Sequence, residues 1–184
     1  MKKTNNKGFS LVELIIVIAI MAILAGAIAP ALIRYIDKSR KSNDVSAAKT
    51  IKTAVETAMS NEDTYAGLTS MTTKPVIKLT PGSTSVGGVN IQNVTWPSPA
   101  TAATTSEAAE EIFKNLSESI PKIKYKKTAD SGVGAPEAWY VFCTKTGQVK
   151  VVLGPTGTAP SADASTGAIS GGYELVPEIN KNYQ

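Results

Sequence analysis

A single apolar stretch, residues 14–33, constrains this chain more than any other feature, and one carboxylate, Glu13, stands directly before it. The stretch is uncharged and twenty residues long. As a helix rising about 1.5 Å per residue, it would cover the ~30 Å hydrocarbon core of a membrane. A carboxylate at the middle of a bilayer costs on the order of 2.5–3.5 kcal/mol. We therefore expect Glu13 to be neutralised or paired, and to serve a function.

A new amino group is the nearest candidate partner for Glu13. If the chain were cut between Gly8 and Phe9, the free amine of Phe9 would lie about one helical turn before the carboxylate. This spacing allows the two groups to pair within one chain. It also allows them to pair between neighbouring chains that are staggered by about a turn.

The residues around this point resemble a known sequence signal. Residues 7–13 read Lys-Gly-Phe-Ser-Leu-Val-Glu and lead into the apolar helix. This segment resembles the class III signal of type IV pilins and pseudopilins, with Gly8, Phe9, Glu13 and Pro30 at the family's spacing. The resemblance is dense over residues 1–41, whereas the remainder is similar only in general layout.

The resemblance to type IV pilins implies a processing and assembly route. Residues 1–8 would be a leader, which a membrane prepilin peptidase removes by cutting after Gly8 before it N-methylates Phe9. Glu13 would then pair with the Phe9 amine of an adjacent subunit in a helical homopolymer. A cytoplasmic ATPase and a membrane platform protein would drive assembly. The subunit would cross the cytoplasmic membrane once before assembly and lie in a pilus at the cell surface afterwards.

Two simpler explanations compete for the same segment. An ordinary secretory signal also has a basic start, here Lys2, Lys3 and Lys7, followed by an apolar stretch and small residues. Such a stretch usually spans about 7–15 residues, and this one is longer and is followed by a further helical pattern. A plain signal anchor, in which Glu13 has no role, is the second alternative.

One helix is predicted over residues 9–64, in two environments. Apart from Ser10 and Glu13, residues 9–33 are apolar all round, as a membrane or filament-core helix should be. After Arg34, apolar residues recur at steps of three and four, which predicts a one-sided stripe: Ile36, Val45, Ala48, Ile51, Val55, Ala58 and Met59. Charged residues, Asp44 among them, intersperse this stripe.

Gly26 and Pro30 weaken the apolar half of the predicted helix. Pro30 lacks a backbone donor and crowds the carbonyl of Gly26, so this turn is expected to kink or loosen. A routine proline kink in a membrane helix would explain the pair equally well. The resemblance to pilins implies a further role, because this part of the helix is partly unwound in assembled pilin filaments and could let a filament stretch. The candidate segment is residues 22–31.

The globular part, residues 65–184, is expected to combine short strands with one short helix. The helix is predicted over residues 106–119, with a capping box of Thr104 and Glu107 at its start and Pro121 as its stop. Candidate strand segments are residues 75–79, 86–91, 122–126, 138–144, 148–153 and 173–176, of which the first two are equally compatible with loops. The fourth and fifth of these should form a hairpin. Packed on the long helix, they give an α+β fold with a small antiparallel sheet, the type IV pilin arrangement.

Composition argues against an enzyme. The chain has no histidine, which excludes Ser-His-Asp and Cys-His catalysis and histidine-based zinc sites, so no catalytic, cofactor or metal residues are predicted. The lone Cys143 is expected to be a buried thiol on the same strand face as Trp139. Without the three leader lysines, sixteen basic residues face fifteen acidic ones, so no global charge favours nucleic acid. The basic segment around Tyr125 is more simply explained as lysines that guard a sheet edge.

The sequence therefore favours a major pilin that builds surface filaments for adhesion, motility or aggregation. The alternative is a pseudopilin of a type II secretion or competence DNA-uptake system. A membrane-tethered enzyme or binding domain is a third, less favoured class. Many pilins close a carboxyl-terminal loop with a disulfide, which a lone Cys143 cannot do. This departure fits a source such as a Gram-positive anaerobe.

Overall fold

The structure, a computed structural model, describes residues 9–96, 102–127 and 133–184. The predicted leader, residues 1–8, and most of the proline-rich linker that follows Trp96 lie outside the described residues. The chain divides into two compact units, Met1–Ser39 and Arg40–Gln184. The second unit holds all the strands of the described residues, and we call it the head.

Helix α1, Leu11–Ala58, spans both units and changes character along its length. Its large apolar side chains in the first unit are exposed, whereas its buried residues all lie at Asp44 or later. The predicted stripe from Val45 to Met59 is confirmed, because these side chains lie in the core of the head. Ile36 is not part of that core and remains 38% exposed. The helix is continuous through Gly26 and Pro30.

The predicted end of the long helix is wrong by a few residues. Helix α1 stops at Ala58, and a separate helix α2, Glu62–Leu68, follows. Asn61 caps α2, since its Oδ1 accepts the N–H groups of Asp63 and Thr64 at 3.0 and 3.2 Å. An asparagine side chain that bonds to the following amides competes with helix continuation, and this capping explains the break.

The head contains a five-stranded antiparallel sheet. Its strands are β1 (Ile77–Leu79), β2 (Val89–Ile91), β3 (Ala138–Cys143), β4 (Val149–Gly154) and β7 (Tyr173–Val176), in the spatial order β2-β1-β3-β4-β7. The predicted hairpin is confirmed as β3 and β4, with Trp139 opposite Leu153. Gly147 closes its turn with a φ of 78°, a conformation that favours glycine. The predicted α+β fold, with a small antiparallel sheet packed on the long helix, is therefore confirmed.

Both faces of β3 are buried, which makes it the centre of the head. Trp139, Val141 and Cys143 face the core that includes the α1 stripe. Tyr140 and Phe142 point the other way, into a smaller cluster. A two-stranded ribbon, β5 (Ser161–Ala162) and β6 (Ile169–Ser170), contributes Ala162 and Ile169 to that second cluster. The sequence did not predict this ribbon, because its Gly-, Ser- and Thr-rich segment shows no strand pattern.

The short helix α3, Ala102–Asn115, begins and ends earlier than predicted. Thr104 lies inside the helix, so the expected capping box with Glu107 is wrong. The helix ends well before Pro121, because Ser117 and Glu118 adopt left-handed backbone angles of 57° and 54°. The N–H of Glu118 then donates to the carbonyl of Phe113 at 3.1 Å, the pattern of a helix carboxyl-terminal cap.

Residues 122–126 do not form the predicted strand. They belong to a segment without regular secondary structure, residues 121–127, which we call the strap. The expected alternation is present, since Ile123 is buried and Lys122 and Lys124 are exposed. Two of the strap's backbone N–H groups bond to the side chain of Asp44 on α1, and so they are not available for a strand ladder.

Candidate functional site

The first turn of α1 places the carboxylate of Glu13 against the backbone of its own chain. Ser10 precedes the helix, and its carbonyl accepts the N–H of Leu14 at 3.2 Å. The N–H of Ser10 donates to Oε2 of Glu13 at 2.8 Å. This is one half of a capping box, in which the third helical residue reaches back to the residue before the helix. The Ser10-x-x-Glu13 spacing carried that signal, and the sequence reasoning missed it.

The structure thus gives Glu13 a partner other than the predicted amine. Phe9 is 92% exposed and Gly8 lies outside the described residues. A Phe9 amine exists only after the chain is cut before that residue, so cleavage, methylation and the Phe9–Glu13 pair stay predictions. What the arrangement establishes is that an uncut chain can satisfy the carboxylate locally.

The apolar surface beyond Glu13 is uncovered in the single chain. Side chains such as Leu11 and Ile23 expose more than 70% of their area, and every residue from Phe9 to Ile33 is exposed. Within the described residues, α1 is the helix long and apolar enough to cross a membrane. Full burial of each large aliphatic side chain is worth about 1.5–3 kcal/mol, so this surface favours lipid or other apolar helices over water.

The helix-weakening pair, Gly26 and Pro30, lies in the same exposed half of α1. A Cβ at Gly26 would have no heavy atom within 4 Å, so no packing inside this chain requires a glycine there. The helix tolerates Pro30 in the single chain. The proposed unwinding of residues 22–31 concerns an assembled filament, and it stays a prediction.

The head offers no constellation with catalytic chemistry among its described residues. Burial raises the pKa of the Cys143 thiol to about 12, so it is not a nucleophile at neutral pH. Hydroxyl and amide donors of Ser165 and Thr166 hold the pKa of Asp163 below its usual range, within one local turn. In the parts of the chain that the structure describes, no group of three or more His, Cys, Asp or Glu is placed to hold a metal.

The basic strap is also unsuited to stacking a nucleic-acid base. The ammonium of Lys41 lies 5.2 Å from the centre of the Tyr125 ring, and the Tyr183 ring packs against it at 5.6 Å in an edge-to-face arrangement. These contacts occupy the surfaces that a base would need. The predicted role of the strap lysines at a sheet edge is wrong as well, since the strap is not part of the sheet.

Comparison with known proteins bears on the first turn and apolar half of α1. Residues 3–29 match the family model described as the prokaryotic N-terminal methylation motif. The chain carries that motif. The matched region includes Gly8, Phe9 and Glu13 and ends directly before Pro30.

The chain is also similar to type IV major fimbrial proteins, FimA, of Dichelobacter nodosus. Three such sequences are 42% identical to it over 57 residues, which is 31% of this chain. The chain spans about a third of the length of these curated relatives, the aligned share being 36%. No solved structure matches. Nothing in these similarities supports the Gram-positive source that the sequence suggested.

Proposed function

We propose that this chain is the structural subunit of a type IV pilus and polymerises through α1 into surface filaments. One observation carries the proposal: an exposed apolar helix begins with a single carboxylate, inside a methylation motif. A helix that is apolar all round must be surrounded by lipid or by other apolar helices. Many copies packed side by side provide such surroundings, and the head then coats the filament without acting as an enzyme.

Maturation in this proposal follows the route implied by the resemblance. A prepilin peptidase cuts between Gly8 and Phe9 and methylates the new Phe9 amine. The subunit waits in the cytoplasmic membrane until an ATPase and a platform protein add it to the filament. The filament serves adhesion, motility or aggregation, as a major pilin does.

The role of Glu13 in assembly is an exchange of partners. Before assembly its carboxylate bonds to the Ser10 amide, as in the single chain. In the filament it pairs with the Phe9 amine of an adjacent subunit. Because removal of one partner of a buried pair leaves an uncompensated charge, at a cost of about 3–5 kcal/mol, the pair fixes the register of neighbouring subunits.

Mass spectrometry of filaments sheared from the cell surface tests the proposal directly. The amino-terminal peptide should begin at N-methylated Phe9 and should dominate the sheared fraction. An intact Met1 or Lys2 start in filaments would contradict the processing step. Processed protein that occurs only in membranes would favour the alternative, a pseudopilin of a secretion or DNA-uptake system.

Two substitutions at Glu13 separate charge from capping. Glu13→Gln keeps an oxygen that can accept the Ser10 amide, whereas Glu13→Val removes both the charge and the acceptor. We expect both variants to be cut and inserted normally but to be poorly incorporated into filaments. Wild-type filament yield from Glu13→Gln would show that the cap, and not a charge pair, is what assembly requires.

A matched pair at Gly8 tests the cleavage site. Gly8→Trp should block maturation because a bulky side chain would stand next to the bond that is cut, whereas Gly8→Ala should still be processed. Gel mobility and the mass of the intact protein distinguish the two forms. Normal processing of Gly8→Trp would mean that cleavage occurs elsewhere.

A further inference from the structure

Asp44 is a charged residue on the buried face of α1, where the sequence pattern predicts only apolar contacts. It has no exposed area. Its Oδ1 accepts the N–H of Lys124 at 2.8 Å, and its Oδ2 accepts the N–H of Tyr125 at 2.9 Å. Hydrogen bonds to an ionised acceptor are short and strong, and these two attach the strap to the helix.

Tyr183, the penultimate residue of the chain, holds the strap from its other side. Its hydroxyl donates to the carbonyl of Tyr125 at 3.4 Å, and the two rings meet edge to face at 5.6 Å. The Tyr183 ring also contacts Tyr173 of β7, at 5.7 Å. Tyr183 belongs to a short 3₁₀ turn, Lys181–Tyr183, that Asn180 caps by accepting the N–H of Asn182 at 2.9 Å.

Both backbone hydrogen-bonding groups of Tyr125 therefore have partners. Its N–H donates to the carboxylate of Asp44 on α1, and its carbonyl accepts the hydroxyl of Tyr183 near the carboxyl terminus. A strand ladder does not support this residue. Toward the amino terminus, the strap is also held by the side chain of Ile123, which is buried in the main core, and by the carbonyl of Pro121, which accepts the indole N–H of Trp139 at 2.8 Å.

We propose that Asp44, Tyr125 and Tyr183 form a non-covalent latch that ties the carboxyl terminus of the head to α1 and opens as one unit. The chain has a single cysteine, so a disulfide cannot do this work. A buried carboxylate is stable only while its donors are in place, and the donors stay in place only while the strap is held. Loss of either outer contact thus releases the strap at Lys124 and Tyr125, and with it the opposite contact, while Ile123 and the sheet stay packed.

The latch couples two regions that are far apart in the sequence. A disturbance of α1 at Lys41 or Asp44 reaches the last residues of the chain through the strap. Coupling of this kind is reciprocal, so a change at Tyr183 must affect the bonds of Asp44 to the same degree. The presence of this coupling distinguishes a latch from two independent contacts.

Amide hydrogen exchange of the full chain in detergent micelles measures the opening. In Asp44→Asn, one oxygen acceptor is replaced by an N–H₂ group that faces a backbone donor. We expect the amides of Lys124, Tyr125 and Tyr183 to exchange at least about tenfold faster, with β3 unchanged. Asp63→Asn, the same change at an exposed position on α2, is the control and should leave all these rates unaltered.

The reciprocal variant, Tyr183→Ala, changes only the end of the chain and leaves Asp44 intact. It should accelerate exchange at Lys124 and Tyr125, although their acceptor is still present. In the double variant these amides should exchange little faster than in either single variant, because both substitutions disrupt the same latch. Faster exchange confined to the residues beside each substitution would refute the latch, as would an equal rise at β3. If Asp44→Asn does not fold, Tyr183→Ala still decides between these outcomes.

Discussion

Replacement of Ile51 by alanine tests whether the second half of α1 holds the head together. Ile51 has no exposed area and lies in the main core. The substitution removes the equivalent of three buried methylene groups, worth roughly 2–2.5 kcal/mol at about 0.8 kcal/mol each. The cavity left behind adds to this cost, so we expect a loss of about 3–4 kcal/mol in the free energy of unfolding. Since domains are stable by only about 5–15 kcal/mol, this is a large fraction.

Urea unfolding of the full chain in micelles, followed by tryptophan fluorescence, gives the measurement. Trp139 is fully buried in the same core and reports on its loss. With a slope of about 1–3 kcal/mol per molar urea, the midpoint should fall by roughly 1–4 M.

Ile36→Ala is the matched control on the same helix, because Ile36 is 38% exposed and outside the core of the head. Its effect should stay within about 0.5 kcal/mol. Equal costs for the two substitutions would refute the assignment of α1's packed face. They would mean that the head does not depend on the helix in the way its buried residues indicate.

Two further predictions concern buried ionisable groups. Because burial raises the pKa of Cys143 to about 12, iodoacetamide at mildly alkaline pH should label this thiol only after unfolding. The mass of the intact protein measures the labelling, and rapid labelling of the folded protein would contradict the burial of Cys143. Burial also raises the pKa of Asp44, so between its unfolded and folded pKa values the folded head binds more protons than the unfolded chain. The difference in unfolding free energy between wild type and Asp44→Asn should therefore move in favour of wild type as the pH falls from about 7 towards about 4. Urea titrations across this pH range would contradict the prediction if the difference moved the other way.

The sequence predicted those parts of the fold in which a local pattern and the final packing agree. Alternation across β3 and β4 and the three-and-four spacing of the α1 stripe both reflect burial against a single core. The turn between these two strands is also marked in the sequence, by Gly147, whose positive φ favours glycine. These features needed no knowledge of distant residues, and the structure confirms them.

Failures of prediction occurred where a distant side chain decides a local structure. Residues 122–126 alternate like a strand, but the carboxylate of Asp44, about eighty positions earlier, takes two of their amides. Conversely, Asp44 looks like a surface residue until the strap is placed over it. Neither error could be corrected from the sequence alone, because no local pattern shows that Asp44 and the strap are in contact.

The candidate site shows the opposite case, in which a purely local signal was available and missed. Ser10 and Glu13 have capping-box spacing at the start of a helix, and the bond between them follows from that spacing. Charge alone does not point to this bond, because the Ser10 amide is neutral. Pairing with Phe9 depends on cleavage of the chain before that residue, which arguments about folding cannot predict.

The position at which burial begins on α1 has a consequence for how the head can fold. Every buried α1 residue is Asp44 or later, so no core contact of the head depends on the thirty residues from Phe9 to Lys38. The head can complete its folding while the preceding segment lies in a lipid bilayer, in detergent or among neighbouring helices. The residues that fold the head are thereby separate in the sequence from the residues that expose apolar surface, so a change in the surroundings of the apolar segment does not require the head to unfold.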